Sequence, residues 1–220
     1  MNPPADSILI FFALPEEARP FRKLAAAAAG PGRAQVVVTG MGARNAGRVA
    51  RATLAADRPA LVLTCGYAGG LNPALPPLTL VFSADAPERV ATALGKLGAR
   101  AGRFHCAPRV AITAAEKRVL FAETGADAVE MESGVIRRIC GELGIPCVTL
   151  RVISDAANED LPLDFNRLTT PEQNLSLPKL AWAVATAPGK IPALLALGKR
   201  TSAAAGKLGA ALEQLLRALG

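Results

Sequence analysis

Two carboxylates, Glu130 and Glu132, stand at the mouth of an amphipathic segment, and the apolar run behind it closes on Arg151, Ser154 and Asp155. Val135, Ile136, Ile139, Cys140 and Leu143 recur at helical spacing, Gly144 and Pro146 stop that helix, and Val148, Leu150 and Val152 continue as a strand. A carboxylate at a helix start can simply satisfy orphan amides and the helix dipole, which suits Glu130 better than Glu132. Asp155 has fewer innocent explanations. A strand this apolar is expected to be buried, so an Arg and an Asp at its end need each other or a ligand.

His105 is the only histidine, and it precedes Cys106 and Pro108 in what reads as a loop remote from these segments. One histidine leaves no plausible Ser-His-Asp triad or histidine metal site, and His105 is expected to be a surface or satisfied residue. Acid–base work therefore falls to carboxylates. Carboxylates with a grip on hydroxyls and no metal suit glycosidic cleavage, where the leaving group is protonated as an oxocarbenium-like state forms.

The elements that must position these groups alternate along the chain. Strand-length apolar runs at Ile8–Ala13, Gln35–Val38, Ala60–Thr64, Leu78–Phe82 and Arg109–Ile112 are interleaved with helical segments at Glu16–Ala29, Ala46–Ala56, Glu88–Leu97 and Ala114–Thr124. That alternation predicts a largely parallel sheet with helices on both faces. Glu16 and Glu17 follow the first strand, GMGARN (Gly40 to Asn45) the second, CGYAGG (Cys65 to Gly70) the third, and Asp155 ends the late one. Ligands of open α/β sheets bind at the carboxyl ends of strands, so four separate segments are expected to converge on one pocket. The glycines let backbone approach a ligand, and Arg44 could hold a phosphate or carboxylate, although a solvated Arg is the default. Neither loop has dinucleotide glycine spacing or a Walker Gly-Lys-Ser/Thr. The stretch Asn158–Pro178, rich in Pro, Asn, Asp and Thr, reads as a long loop, or a loop with a short turn of helix, before the C-terminal helices.

With 220 residues, about half of them apolar, the chain is expected to fold as a single domain over 1–220, with 178–220 a basic helical segment. Cys65, Cys106, Cys140 and Cys147 share no metal-ligand spacing, so we expect buried thiols, no disulfide and no zinc. MNPPADSILIFFALPEE, with Asp6 before its apolar run and no basic start, reads as a first strand rather than an export signal, and no uninterrupted apolar stretch spans a bilayer. The formal charge of +7 invites a nucleic-acid reading, but no basic cluster is interleaved with stacking aromatics. The charge gathers instead after Pro178, in Lys179, Lys190, Lys199, Arg200, Lys207 and Arg217.

These motifs resemble the nucleoside phosphorylase and nucleosidase superfamily, whose best-known hydrolytic members act on methylthioadenosine and S-adenosylhomocysteine. The likeness runs from Ile8 to about Ala157, and its most specific parts are VEMES and LRVISDAA, with TCGYAGGL, VTGMGARNAG and ALPEEARPF in the family's order. It implies a three-layer α/β/α fold around a central mixed, mostly parallel twisted sheet. It also implies that Asp155 protonates N7 of a purine, with Ser154 and Arg151 orienting it. Glu132 would grip the ribose hydroxyls, with Met131 packed on the sugar, and Glu17 would position water. Gly40, Gly42, Arg44 and Gly66 would lie where phosphorylases hold phosphate. Tyr67 stands where hydrolytic relatives carry a small Ser, which predicts a narrowed or rebuilt pocket for water or phosphate. The segment before VEMES is short and offers no obvious stacking residue for the base.

Within the superfamily, LPLDFNRLTTPE and the basic tail are most similar to the hopanoid-associated phosphorylases, thought to remove adenine from adenosylhopane. For the tail two readings stand side by side: a cationic surface facing anionic headgroups, or an ordinary solvated helix. The resemblance implies a cytoplasmic homo-oligomer, peripheral to the inner membrane on the first of these readings, acting on a purine nucleoside without a cofactor. Phosphate or water as the acceptor is left open, and a nucleoside-binding protein that has lost turnover is the alternative.

Overall fold

Five consecutive apolar residues, Ile8–Phe12, are all buried and form the first strand, β1; a run without alternation is what a strand covered on both faces requires. The computed structural model describes residues 7–28, 34–170 and 176–220; Asp6, Ala29 and positions 171–175 of the expected loop lie outside them. The chain continues through α1 (Pro15–Ala28), β2 (Ala34–Val38), α2 (Gly42–Ala56), β3 (Leu61–Gly70), β4 (Leu80–Ser83), α3 (Glu88–Lys96), β5 (Arg100–Gly102) and β6 (Phe104–Cys106). It then forms α4 (Ala114–Thr124), β7 (Ala128–Glu130), α5 (Ser133–Glu142), β8 (Cys147–Asp155), α6 (Leu177–Thr186) and α7 (Ile191–Leu219). Short 3-10 helices occupy Phe165–Leu168 and Pro188–Lys190.

The strands make one eight-stranded sheet in the order β2-β1-β3-β8-β4-β5, with β7 added to the far end of β3 and β6 beside β7. Among the described residues only β4 against β8 and β7 against β3 are antiparallel, so the sheet is mixed and mostly parallel, as expected. On one face Phe21 of α1 and Leu208, Leu212 and Leu215 of α7 pack on Ile10, Phe12, Leu63, Leu150 and Val152. The two helices approach closely at Gly209, where a Cβ would lie 2.9 Å from the Phe21 amide nitrogen. On the other face Ala46, Ala50 and Leu54 of α2 and Ile136, Ile139 and Cys140 of α5 cover Leu9, Phe11 and Val62. The result is the three-layer α/β/α architecture.

The strand expected at Arg109–Ile112 does not form. Pro108 cannot donate to a ladder, and Val110 is held by a side chain instead: its amide donates to Asn166 Oδ1 at 2.9 Å and its carbonyl accepts from Asn166 Nδ2 at 3.0 Å. The strand lies earlier, at β6, so His105 sits not in a remote loop but opposite Val129, one residue before the Glu130 to Glu132 segment. All four cysteines are free thiols, Cys65 and Cys140 buried and the other two half-buried.

Candidate active site

Parallel β1, β3 and β8 end side by side, and their last residues meet the start of α5 and the loop entering α2. Glu17, in the first turn of α1, is buried and turns back over the strand ends. Its carboxylate accepts the Leu14 amide at 2.9 Å and the Tyr67 amide at 2.8 Å. This return is possible because Gly66 has no side chain. A Cβ there would sit 2.5 Å from Arg151 Nη1 and 2.6 Å from Glu17 Oε1, and its φ of +150° is itself unusual for other residues.

Arg151 is the hub of the cluster and is 1% exposed. It donates to the Cys65 carbonyl at 2.8 Å, to Thr64 Oγ1 at 3.3 Å and to Glu130 Oε2 at 2.6 Å, and lies 3.6 Å from Glu132 Oε2. Glu130 also accepts the Glu132 amide at 3.0 Å and the Ser133 amide and hydroxyl, each at 2.7 Å. It thus closes the start of α5, the structural role anticipated for it. Glu132 is left with one direct backbone donor, the Gly42 amide at 2.8 Å.

These environments separate the carboxylates. Burial would push Glu130 up, but Arg151 and the Ser133 and Glu132 donors outweigh it and hold the group below its ordinary range. Burial pushes Glu132 up to about 7, with Glu130 and Glu17 adding to the push and Arg151 and the Gly42 amide opposing it. Glu17 is also raised, by burial that Arg151 and its amide donors only partly offset. Arg151 itself stays firmly protonated: its burial is outweighed by Glu130, Glu132 and Glu17. Carboxylates displaced in opposite directions within one cluster are an arrangement that acid–base chemistry can use.

Asp155, at the end of β8, is buried. Ser154 Oγ donates to its Oδ1 at 2.6 Å, as the resemblance implies. Arg151 does not orient it. Among the described residues the guanidinium makes no contact with Asp155, because it reaches across β3 to Thr64 and Cys65 and back to Glu130. The partner of Asp155 is Lys117 of α4, whose ammonium meets Oδ2 in a salt bridge with no exposed surface on the lysine side. Backbone closeness completes the setting: a Cβ on Gly69 would lie 3.4 Å from Asp155 Oδ2 and 3.1 Å from Val129, and one on Gly70 would lie 2.9 Å from the Asp155 carbonyl.

The phosphate-side residues divide. The Gly40 amide donates to the Ala13 carbonyl at 3.1 Å and the Gly42 amide to Glu132, so neither is open to an anion. Both glycines have φ near +80°, which is what their type supplies. Arg44 is exposed on the first turn of α2 and joins none of the contacts of the cluster. Tyr67 contributes its amide, while its half-buried ring packs against the cluster under α1 and α7. Met131 is half-buried between the two carboxylates that flank it in the chain.

Sequence reasoning missed Lys117. The signal was present: Lys117, Leu120 and Phe121 share one helical face, and an unpaired lysine has no place in an apolar stripe.

A family model described as Phosphorylase superfamily matches residues 11–96 and 88–185. A 5'-methylthioadenosine/S-adenosylhomocysteine nucleosidase of Mycobacterium bovis is 47% identical over 45 residues, which is 20% of this chain and 18% of that protein. An aminodeoxyfutalosine nucleosidase of Helicobacter pylori is 42% identical over 50 residues, 23% of this chain and 22% of that protein. The similarity to these relatives thus spans about a fifth of their length. Solved structures match throughout: futalosine hydrolase of Helicobacter pylori has a TM-score of 0.72 at 17% identity, covering 97% of this chain and 98% of that one. A 5'-methylthioadenosine/S-adenosylhomocysteine nucleosidase of Colwellia psychrerythraea in complex with adenine gives 0.71 at 17% identity, covering 100% and 98%.

Proposed function

The chain belongs to the Phosphorylase superfamily, and on that premise we propose that it hydrolyses the N-glycosidic bond of an adenosine-type purine nucleoside. The relatives named as nucleosidases support the bond and the base. In this reading Asp155 gives its proton to purine N7 as the bond from C1' to N9 breaks and the bonding electrons leave with the base. Glu132, free of the capping role that Glu130 fills, accepts the ribose hydroxyls, and Met131 packs on the sugar. Glu17 takes a proton from the water that attacks C1'. Arg151 holds Glu130 and Glu132 and so places the sugar grip. Ser154 aims the acid.

What supports water over phosphate is the set of contacts around Gly66. Glu17, Glu130 and Glu132 surround a single guanidinium, the Gly40 and Gly42 amides are already engaged, and Arg44 stands outside. Among the described residues a phosphate dianion would find no open amide and no uncommitted cation there, whereas a neutral water needs neither and can donate to Glu17. Adenine release from methylthioadenosine and adenosine, measured with and without phosphate, tests this. Turnover that requires phosphate would overturn hydrolysis; Asp155→Asn should slow release by at least about a hundredfold.

The finer part of the proposal is a lipid-linked substrate such as adenosylhopane, reached at the inner-membrane surface from the cytoplasm. No helix among the described residues is long and apolar enough to cross a membrane alone. Surface contact is supported by the bend of about 100° between α6 and α7, where Trp182 is 72% and Leu195 63% exposed. Lys179, Lys190 and Lys199 are exposed beside them. Exposed apolar side chains and exposed lysines along the same helical segment suit anionic headgroups.

A further inference from the structure

Lys117 is the one residue of α4 that is fully buried. Thr113 caps this helix by accepting the Glu116 amide at 3.1 Å, and Glu116 reaches back to the Ile112 amide at 2.9 Å, so the first turn, which leads into the lysine, is fixed. The ammonium has three protons and finds three acceptors: Asp155 Oδ2, the Ala156 carbonyl at 2.9 Å and the Glu159 carbonyl at 2.8 Å. A leucine at this position would extend the apolar face of Leu120 and Phe121 without burying a charge, and buried ion pairs seldom outperform apolar packing. Stability alone therefore gives poor reason for a lysine here.

We propose that Lys117 is a positioning residue for Asp155: it pins Oδ2 so that the carboxyl group faces the purine, and balances the charge left when the proton has moved to N7. This rests on the nucleosidase reading. Asp155 takes up a proton from solvent and passes it to N7, the electrons of the broken bond stay with the base, and Lys117 remains the ammonium that faces the carboxylate left behind. The carbonyl contacts also fix the turn from Asp155 to Glu159, whose side chain is tied to Arg200 of α7 at 2.6 Å. The ammonium thus settles both the charge and the direction of the acid.

The test is a double-mutant cycle on adenine release by the intact protein. Lys117→Met should lower kcat by more than about tenfold while KM changes by less than about threefold, because the lysine meets the acid and not the sugar grip. In an Asp155→Asn background the same replacement should change kcat by less than about threefold, since the group it serves is gone. Equal losses in both backgrounds, or wild-type kcat in Lys117→Met, would overturn the proposal. Lys117→Gln can still donate to both carbonyls but carries no charge, so it decides the matter if the methionine variant does not fold. Full activity in Lys117→Gln would overturn the role of the charge. If the wild-type protein releases no base from any adenosine-type nucleoside, the functional reading itself fails and takes this inference with it.

Discussion

Arg151 Nη2 donates to Glu130 Oε2 at 2.6 Å, and both side chains are 1% exposed. Neither group could remain buried without the other, and the pair fixes the start of α5 against the middle of the sheet. Arg151→Met leaves Glu17, Glu130 and Glu132 without their common cation and should destabilise the fold by about 3–5 kcal/mol. Urea unfolding checks this. A loss below about 1 kcal/mol would show that the guanidinium is not the hub of the cluster.

Glu17 and Arg151 both occupy the space that a side chain at Gly66 would need. A methyl group there would have to displace both, since it would lie 2.5 Å from one and 2.6 Å from the other. Gly66→Ala should therefore cut adenine release by about a hundredfold or more, the scale on which a displacement of about 1 Å acts. Far-ultraviolet circular dichroism would report a retained sheet. Wild-type turnover in this variant would remove Glu17 from the mechanism.

Much of this was legible in the residues. The VEMES to LRVISDA stretch reads as helix then buried strand because the apolar spacing changes from helical to continuous, and burial of Arg151 and Asp155 follows from the strand they sit on. The direction of the Arg151 side chain was not legible. It depends on Thr64 and the Cys65 carbonyl of β3, more than eighty positions away, and on the register of β3 against β8. The direction of the Tyr67 ring was hidden for a related reason: strand alternation at Gly66 sends it to the α1 and α7 face, where burial and then the nearby Glu17 and Glu16 carboxylates push its hydroxyl up. Lys117 shows the third kind of gap, a charged residue on an apolar face whose partner only tertiary structure supplies.

The displacement of Glu132 to about 7 by burial has a binding consequence. Ribose hydroxyls donate to a carboxylate, so the nucleoside favours the ionised form. Affinity for a non-cleavable adenosine analogue should rise with pH by up to about tenfold per unit below about 7 and level off above it. Calorimetric titration across this range checks it, and a flat profile would detach Glu132 from the sugar. Stability runs the other way. Between the ordinary value of 4.5 and about 7 the folded chain holds this proton more tightly than the unfolded chain, so Glu132 makes the free protein less stable as pH rises through that window. Glu17, raised by burial, acts in the same sense; Glu130, held low, contributes stability above its ordinary range and loses it only in acid.

Trp182 is the only tryptophan in the chain and is 72% exposed on α6, which makes it its own reporter of surface contact. If the bend between α6 and α7 meets an anionic bilayer, the indole leaves water for the headgroup region, and its emission should shift to the blue when anionic phospholipid vesicles are added. Vesicles of neutral lipid should produce no shift, because each exposed lysine near a charged surface contributes about 1 kcal/mol. Replacing Lys179, Lys190 and Lys199 with glutamate should therefore weaken vesicle binding by about a hundredfold or more, while adenine release from soluble nucleosides is unchanged. An intact protein whose emission ignores anionic vesicles would remove the membrane from the proposal and leave the soluble nucleosidase reading standing, since none of these lysines touches the cluster around Arg151.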